Sequence, residues 1–115
     1  MAHLPYPSPG EHGQVQLDVT GRMWAWDFGS APLAEDGAIE VPVDQAIEFR
    51  VTSGDVNHGF GIYSPSGHLL SQTQAMPGYT NRLLYTFRTP GDYHIMCMEY
   101  CGLVHHGMTS VLRVR

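Results

Sequence analysis

Lysine is absent from this chain of 115 residues: all six basic residues are arginine, against eleven Asp and Glu. The formal net charge of −5 excludes the basic face that nucleic-acid binding needs, and it is compatible with a basic partner. Long apolar runs are absent too. No uninterrupted stretch approaches the roughly 18 residues of a membrane span, and Met1–Gly10 lacks the apolar core of a secretion signal. Cysteine is scarce. Cys97 and Cys101 are too few for a disulfide-rich scaffold. No long segment of 3.6-residue period with helix caps occurs. What remains is the length of one domain, with a hydrophobic fraction of 43% that argues against disorder.

Residues 1–13 hold three Pro and two Gly and read as a flexible lead-in, followed by a single domain over 14–115. The domain has a period of two. Val15, Leu17 and Val19 alternate with polar residues, and so do Ile39, Val41 and Val43, then Ile47, Phe49 and Val51. Leu83, Tyr85 and Phe87 share one face, as do Tyr93, Ile95 and Cys97, and Leu112 with Val114. Such alternation marks strands with one buried face. Turn residues punctuate them at 35–37, 53–55, 65–67, 77–78 and 90–91. The pattern predicts an all-β sandwich or small barrel, with at most a short helical turn around Gly102–His106.

The segment Cys97-Met98-Glu99-Tyr100-Cys101-Gly102-Leu103-Val104-His105-His106-Gly107-Met108 carries the chemistry. It reads C-x-E-x-C-x-x-x-H-x-x-M, between one strand ending and another starting. Thiols, imidazole and thioether together favour copper, zinc or an iron–sulfur centre. Plainer readings exist for each residue: a Cys97–Cys101 disulfide in an oxidising compartment, a gap-filling Met, a surface His. None of them explains all four types in one loop. Zinc competes for two Cys and a His but rarely recruits a thioether, and an iron–sulfur cluster usually wants four thiolates. Upstream, His58 falls between two strand segments. With one Cys, His105 and Met108 it would fill a blue-copper scheme and leave the second Cys surplus. Two thiolates can instead bridge two copper ions, each holding one His.

The motif C-x-E-x-C-G-x-x-H-x-x-M, with the upstream Asp55-Val56-x-His58-x-Phe60-x-Ile62, resembles the CuA domain of subunit II of haem–copper cytochrome oxidases. Trp24-Ala25-Trp26, Met76-Pro77-Gly78 and Pro90-Gly91-Asp92-Tyr93 resemble further family stretches in the right order, so the likeness covers roughly residues 14–115. It implies a cupredoxin-like Greek-key β-sandwich or barrel. It also implies a dinuclear copper centre with Cys97 and Cys101 as bridging thiolates. His58 and His105 would be the terminal ligands, Met108 a weak axial ligand and the Glu99 backbone carbonyl the other weak ligand. Nitrous oxide reductases of the same family usually carry an aromatic residue at the position of Glu99 and an H-x-E-M spacing; Glu99 and His105-His106-Gly107-Met108 favour the oxidase.

The implied function is one-electron transfer, from cytochrome c or a similar soluble donor to haem in the catalytic subunit I, with no bond-making chemistry in this domain. The implied place is the periplasmic side of the membrane, reached through an N-terminal membrane anchor that this chain lacks. Trp24 and Trp26 have the parity of one face. Both suit a core, and the resemblance offers Trp24 as the place where electrons enter. Ser53, Asp55 and Asn57 either orient His58 or form a plain turn. His106 sits one residue too far along for the pattern, and His3, His12, His68 and His94 are expected to face solvent. A periplasmic copper-delivery protein is the alternative from another class, and a zinc- or disulfide-closed β-domain is a third.

Overall fold

The computed structural model describes residues 6–98 and 108–115. Nine strands follow in chain order: β1 (Val15–Arg22), β2 (Ala25–Asp27), β3 (Ile39–Val41), β4 (Ala46–Ser53), β5 (His58–Tyr63), β6 (Leu69–Ala75), β7 (Asn81–Thr86), β8 (Gly91–Cys97) and β9 (Thr109–Val114). They form two sheets, ordered β2-β1-β4-β7 and β3-β9-β8-β5-β6. β1 pairs with β4, and β3 with β9, in parallel; every other pairing is antiparallel. Since β5 and β6 lie in the second sheet while β4 pairs directly with β7, the chain crosses between layers, as in a Greek key. Among the described residues no helix occurs, so none is long and apolar enough to cross a membrane. The helical turn expected at Gly102–His106 lies outside the described residues.

The alternating residues meet between the sheets. Leu17, Val19, Ile47, Phe49, Val51, Phe60, Ile62, Leu83, Ile95, Leu112 and Val114 are all buried. The Phe49 and Phe60 rings pack at 5.4 Å and those of Phe87 and Tyr93 at 4.7 Å. β5 departs from alternation, because His58 through Ile62 are all buried. Its outer positions are Gly59 and Gly61, and the Met98 side chain lies over Gly61, where a Cβ would sit 2.7 Å from it. Gly61 therefore makes room for a side chain from the neighbouring strand end.

The chain before β1 makes defined contacts. Glu48 on β4 points away from the core yet has no exposed side-chain surface. Gly13 N–H donates to its Oε1 at 2.8 Å, Arg82 Nε to its Oε2 at 2.9 Å, and His12 lies 3.3 Å away. Arg82 also donates to the carbonyls of Ser8 and Glu11. A Cβ on Gly13 would be 2.7 Å from the Glu48 backbone nitrogen, so this segment lies tight against β4. Burial pushes the Glu48 carboxyl up, but the Arg82 and Gly13 hydrogen bonds, the Arg82 charge and His12 outweigh it and hold the group below its ordinary value.

Candidate metal centre

One end of the sandwich gathers the candidate ligands that the described residues contain. His58 opens β5, Cys97 closes β8, and Met108 immediately precedes β9. β5, β8 and β9 are hydrogen-bonded neighbours, so adjacent strand ends present all three. Cys97 stands opposite Phe60 in the ladder, and its N–H donates to the Met108 carbonyl at 3.2 Å. His58 and Met108 are fully buried and Cys97 nearly so.

The other sheet closes the site. Trp26 Nε1–H donates to the same Met108 carbonyl at 3.2 Å. Its ring meets the His58 ring edge-on at 6.0 Å and the Phe60 ring at 5.3 Å. Beneath these groups lies Gly21. A Cβ there would fall 2.9 Å from the Trp26 ring, 3.0 Å from the His58 ring and 3.3 Å from the Met108 methyl. Gly21, Trp26, His58 and Met108 thus share one small volume that has no room for another methyl group.

His58 is oriented by a local turn. Its Nε2 lies 2.8 Å from Asp55 Oδ1, which also accepts the Val56 N–H at 2.7 Å. Asp55 Oδ2 accepts the Met23 N–H at 2.7 Å. Ser53 Oγ accepts the Asp55 N–H at 3.1 Å and donates to the Val56 carbonyl, which fixes the turn. Burial raises the Asp55 carboxyl, but the N–H donors of Met23 and Val56 and the His58 ring outweigh it and bring it down to about 2. An ionised Asp55 draws the imidazole proton to Nε2, which leaves the Nδ1 lone pair free. Among the described residues that buried Nδ1 has no hydrogen-bond partner. A buried unpaired imidazole nitrogen beside a thiol and a thioether is a donor set that suits a soft metal.

Of the candidate residues, the structure brings His58, Cys97 and Met108 together, while Glu99, Cys101 and His105 lie outside the described residues. Among the described residues alone, no three His, Cys, Asp or Glu side chains converge as a metal site. The shared face inferred for Trp24 and Trp26 is corrected. Trp26 is buried, whereas Trp24 is 41% exposed in the turn between β1 and β2, where strand alternation does not apply. His12 and His68 are exposed and His94 is half-buried on the outer face opposite Tyr63. Gly21 went unnoticed in the sequence, although a glycine inside a strand signals close approach of another group.

The chain matches the family model described as cytochrome c oxidase subunit II, periplasmic domain, over residues 27–114. It is 37% identical over 91 residues to cytochrome c oxidase subunit 2 of Thermus thermophilus, covering 79% of this chain and 62% of that one. It is 35% identical to heme-copper oxidase subunit 2 of Aeropyrum pernix, covering 90% and 45%. The chain therefore spans roughly half of these relatives' length. Among solved structures, the periplasmic domain of subunit II of cytochrome oxidase from Bradyrhizobium japonicum superposes with a TM-score of 0.73 at 25% identity, covering 91% of this chain and 86% of that one. These neighbours give the sandwich its cupredoxin-like fold. With the family model matching most of its length, the chain belongs to the periplasmic-domain family of cytochrome c oxidase subunit II.

Proposed function

We propose that this chain holds a dinuclear copper centre and serves as the electron-receiving domain of a cytochrome c oxidase, on the periplasmic side of the membrane. The observation that carries this reading is the buried His58 Nδ1, without a hydrogen-bond partner among the described residues, at the adjoining strand ends that also present Cys97 and Met108. When bound, a copper pair would supply a site that gains and loses one electron with no bond made or broken.

Each residue then has a task. Cys97 and Cys101 would bridge the metals, His58 and His105 would bind one each, and Met108 and the Glu99 carbonyl would be weak ligands. Asp55 holds the His58 ring in its tautomer. Trp26 and the Cys97 N–H fix the backbone carbonyl of Met108, which positions its thioether. Trp24, exposed in the turn whose Met23 N–H binds Asp55, is the candidate surface where electrons enter. The donor would be cytochrome c or a similar soluble protein, and the acceptor haem in subunit I.

Two measurements test the centre. Copper-loaded protein should bind two copper ions per chain and show paramagnetic hyperfine coupling to two equivalent nuclei, and Cys97→Ser should remove that spectrum. Coupling to a single nucleus at full loading in the unaltered protein would sink the proposal. The Asp55→Ala variant should keep the fold and lose about 10- to 100-fold in copper affinity, because the His58 ring is no longer held. A competition titration against a chelator measures this, and unchanged affinity would remove Asp55 from the site.

A further inference from the structure

Two methionines and one histidine fall on a face that the candidate centre does not use. They belong to the run His94-Ile95-Met96-Cys97-Met98 at the end of β8. Tyr93, Ile95 and Cys97 join the core, so His94 and Met96 stand on the opposite, outer side of the sheet. Met98 follows the strand, and its N–H donates to the Gly59 carbonyl at 2.9 Å, which extends the ladder by one step. Its side chain lies over Gly61 on that same outer side. All three residues are half-buried, seated against the sheet yet open to solvent.

The Met98 side chain folds back along the strand. A Cβ on Gly61 would meet its Cγ at 2.7 Å, its sulfur at 2.8 Å and the Tyr63 ring at 2.9 Å. Gly61 is the ladder partner of Met96, and such opposed positions lie about 4.5–5.5 Å apart at Cβ. The Met98 sulfur therefore sits beside Met96, with the Tyr63 ring edge near it. Tyr63 is in turn the partner of His94. On the other flank, Met96 and His94 face Thr109 and Val111 of β9. None of these four neighbours carries a charge. Asp92, the next outer residue along β8, has both oxygens on Arg113.

Two neutral thioethers and an imidazole, with the nearest carboxylate of the strand already engaged, suit monovalent copper and not a hard divalent ion. We infer that His94, Met96 and Met98 form a second site, for one Cu(I) ion, on the outer face of β8. The ion is cargo and binds with no change of oxidation state. Cys97 lies between the two methionines in sequence and points to the other side, so a captured ion is held one strand's thickness from the candidate centre. The site stands on its own residues and does not require the dinuclear centre proposed above.

The chain with both Cys97→Ser and Cys101→Ser, labelled at its methionine methyl groups, is titrated without oxygen with Cu(I) held on a chromophoric chelator. It should take up one ion per chain. The methyl resonances of Met96 and Met98 and the ring resonances of His94 should shift, and the Met108 methyl should stay. Zinc should move none of them. Adding Met96→Leu and Met98→Leu, which nearly conserves volume, should abolish the uptake. If the serine variants fold poorly, the same methyl shifts in the unaltered chain decide the matter. The inference is overturned if no ion is taken up, if only Met108 shifts, if zinc moves the same resonances, or if the leucine pair leaves uptake unchanged. Shifts at Met96 and Met98 in an unaltered chain without two-nucleus coupling would keep this site and refute the dinuclear centre. Two-nucleus coupling with these methyls unmoved would do the reverse.

Discussion

Gly21→Val is expected to abolish copper binding and to cost about 3 kcal/mol or more of folding stability, in the upper range of overpacking. The first added carbon alone would lie 2.9 Å from the Trp26 ring and 3.0 Å from the His58 ring. Neither ring can yield cheaply. Trp26 is held by its hydrogen bond to the Met108 carbonyl, and His58 by Asp55. Moving either one displaces a candidate ligand, so the metal site and the packing fail together. Gly21→Ala should show the same effect in smaller measure, about 1–2 kcal/mol, with weakened rather than lost copper uptake. Urea unfolding and a copper titration read the two effects separately. A valine variant that binds copper as the unaltered chain does would show that these groups have more freedom than the packing allows.

Glu48→Gln is expected to destabilise the domain by about 2–4 kcal/mol, because it leaves the Arg82 guanidinium without its buried counter-charge. For a domain whose total stability is on the order of 5–15 kcal/mol this is a large share. The sign of the pH effect follows from the lowered carboxyl. Glu48 binds its proton less readily in the folded chain than its ordinary value of 4.5. Its contribution is therefore fully present above pH 4.5 and is lost as pH falls through the lower folded value. The gap between unaltered and variant protein should be constant near neutrality and close in acid. The same substitution should loosen residues 8–13, visible as faster hydrogen exchange at Gly13 N–H, which donates to this carboxylate. Stability that is unchanged at pH 7 would show that the pair merely breaks even.

Strands built on inward Val, Ile, Leu and Phe were legible by alternation: β1, β3, β4, β7, β8 and β9. β6 was not. Its buried residues are only Thr73 and Ala75, and it runs at a sheet edge where pairing with β5 supplies its order. β2 has three residues, too few to show a period. At the site, Cys97 and Met108 stood out because ligand chemistry leaves unusual residue types close in sequence, whereas His58, far upstream, was singled out by its place between two strand segments and by the resemblance. Gly21 and Trp26 come from another sheet, and no spacing rule links them to Met108. Glu48 had the pattern of a solvated outward acid; its burial depends on chain that precedes β1, so a local pattern could not reveal it.

One carbonyl oxygen, that of Met108, accepts hydrogen bonds from the Trp26 indole in one sheet and from the Cys97 backbone in the other. It rivets the two layers at the end where the ligands gather. Both ends of the segment between Cys97 and Met108 are thereby set by folding, before any ion arrives. The ordering entropy of those two anchor points belongs to the folding step and not to metal uptake. The apoprotein should consequently melt as a cooperative unit with these two anchor points already in place.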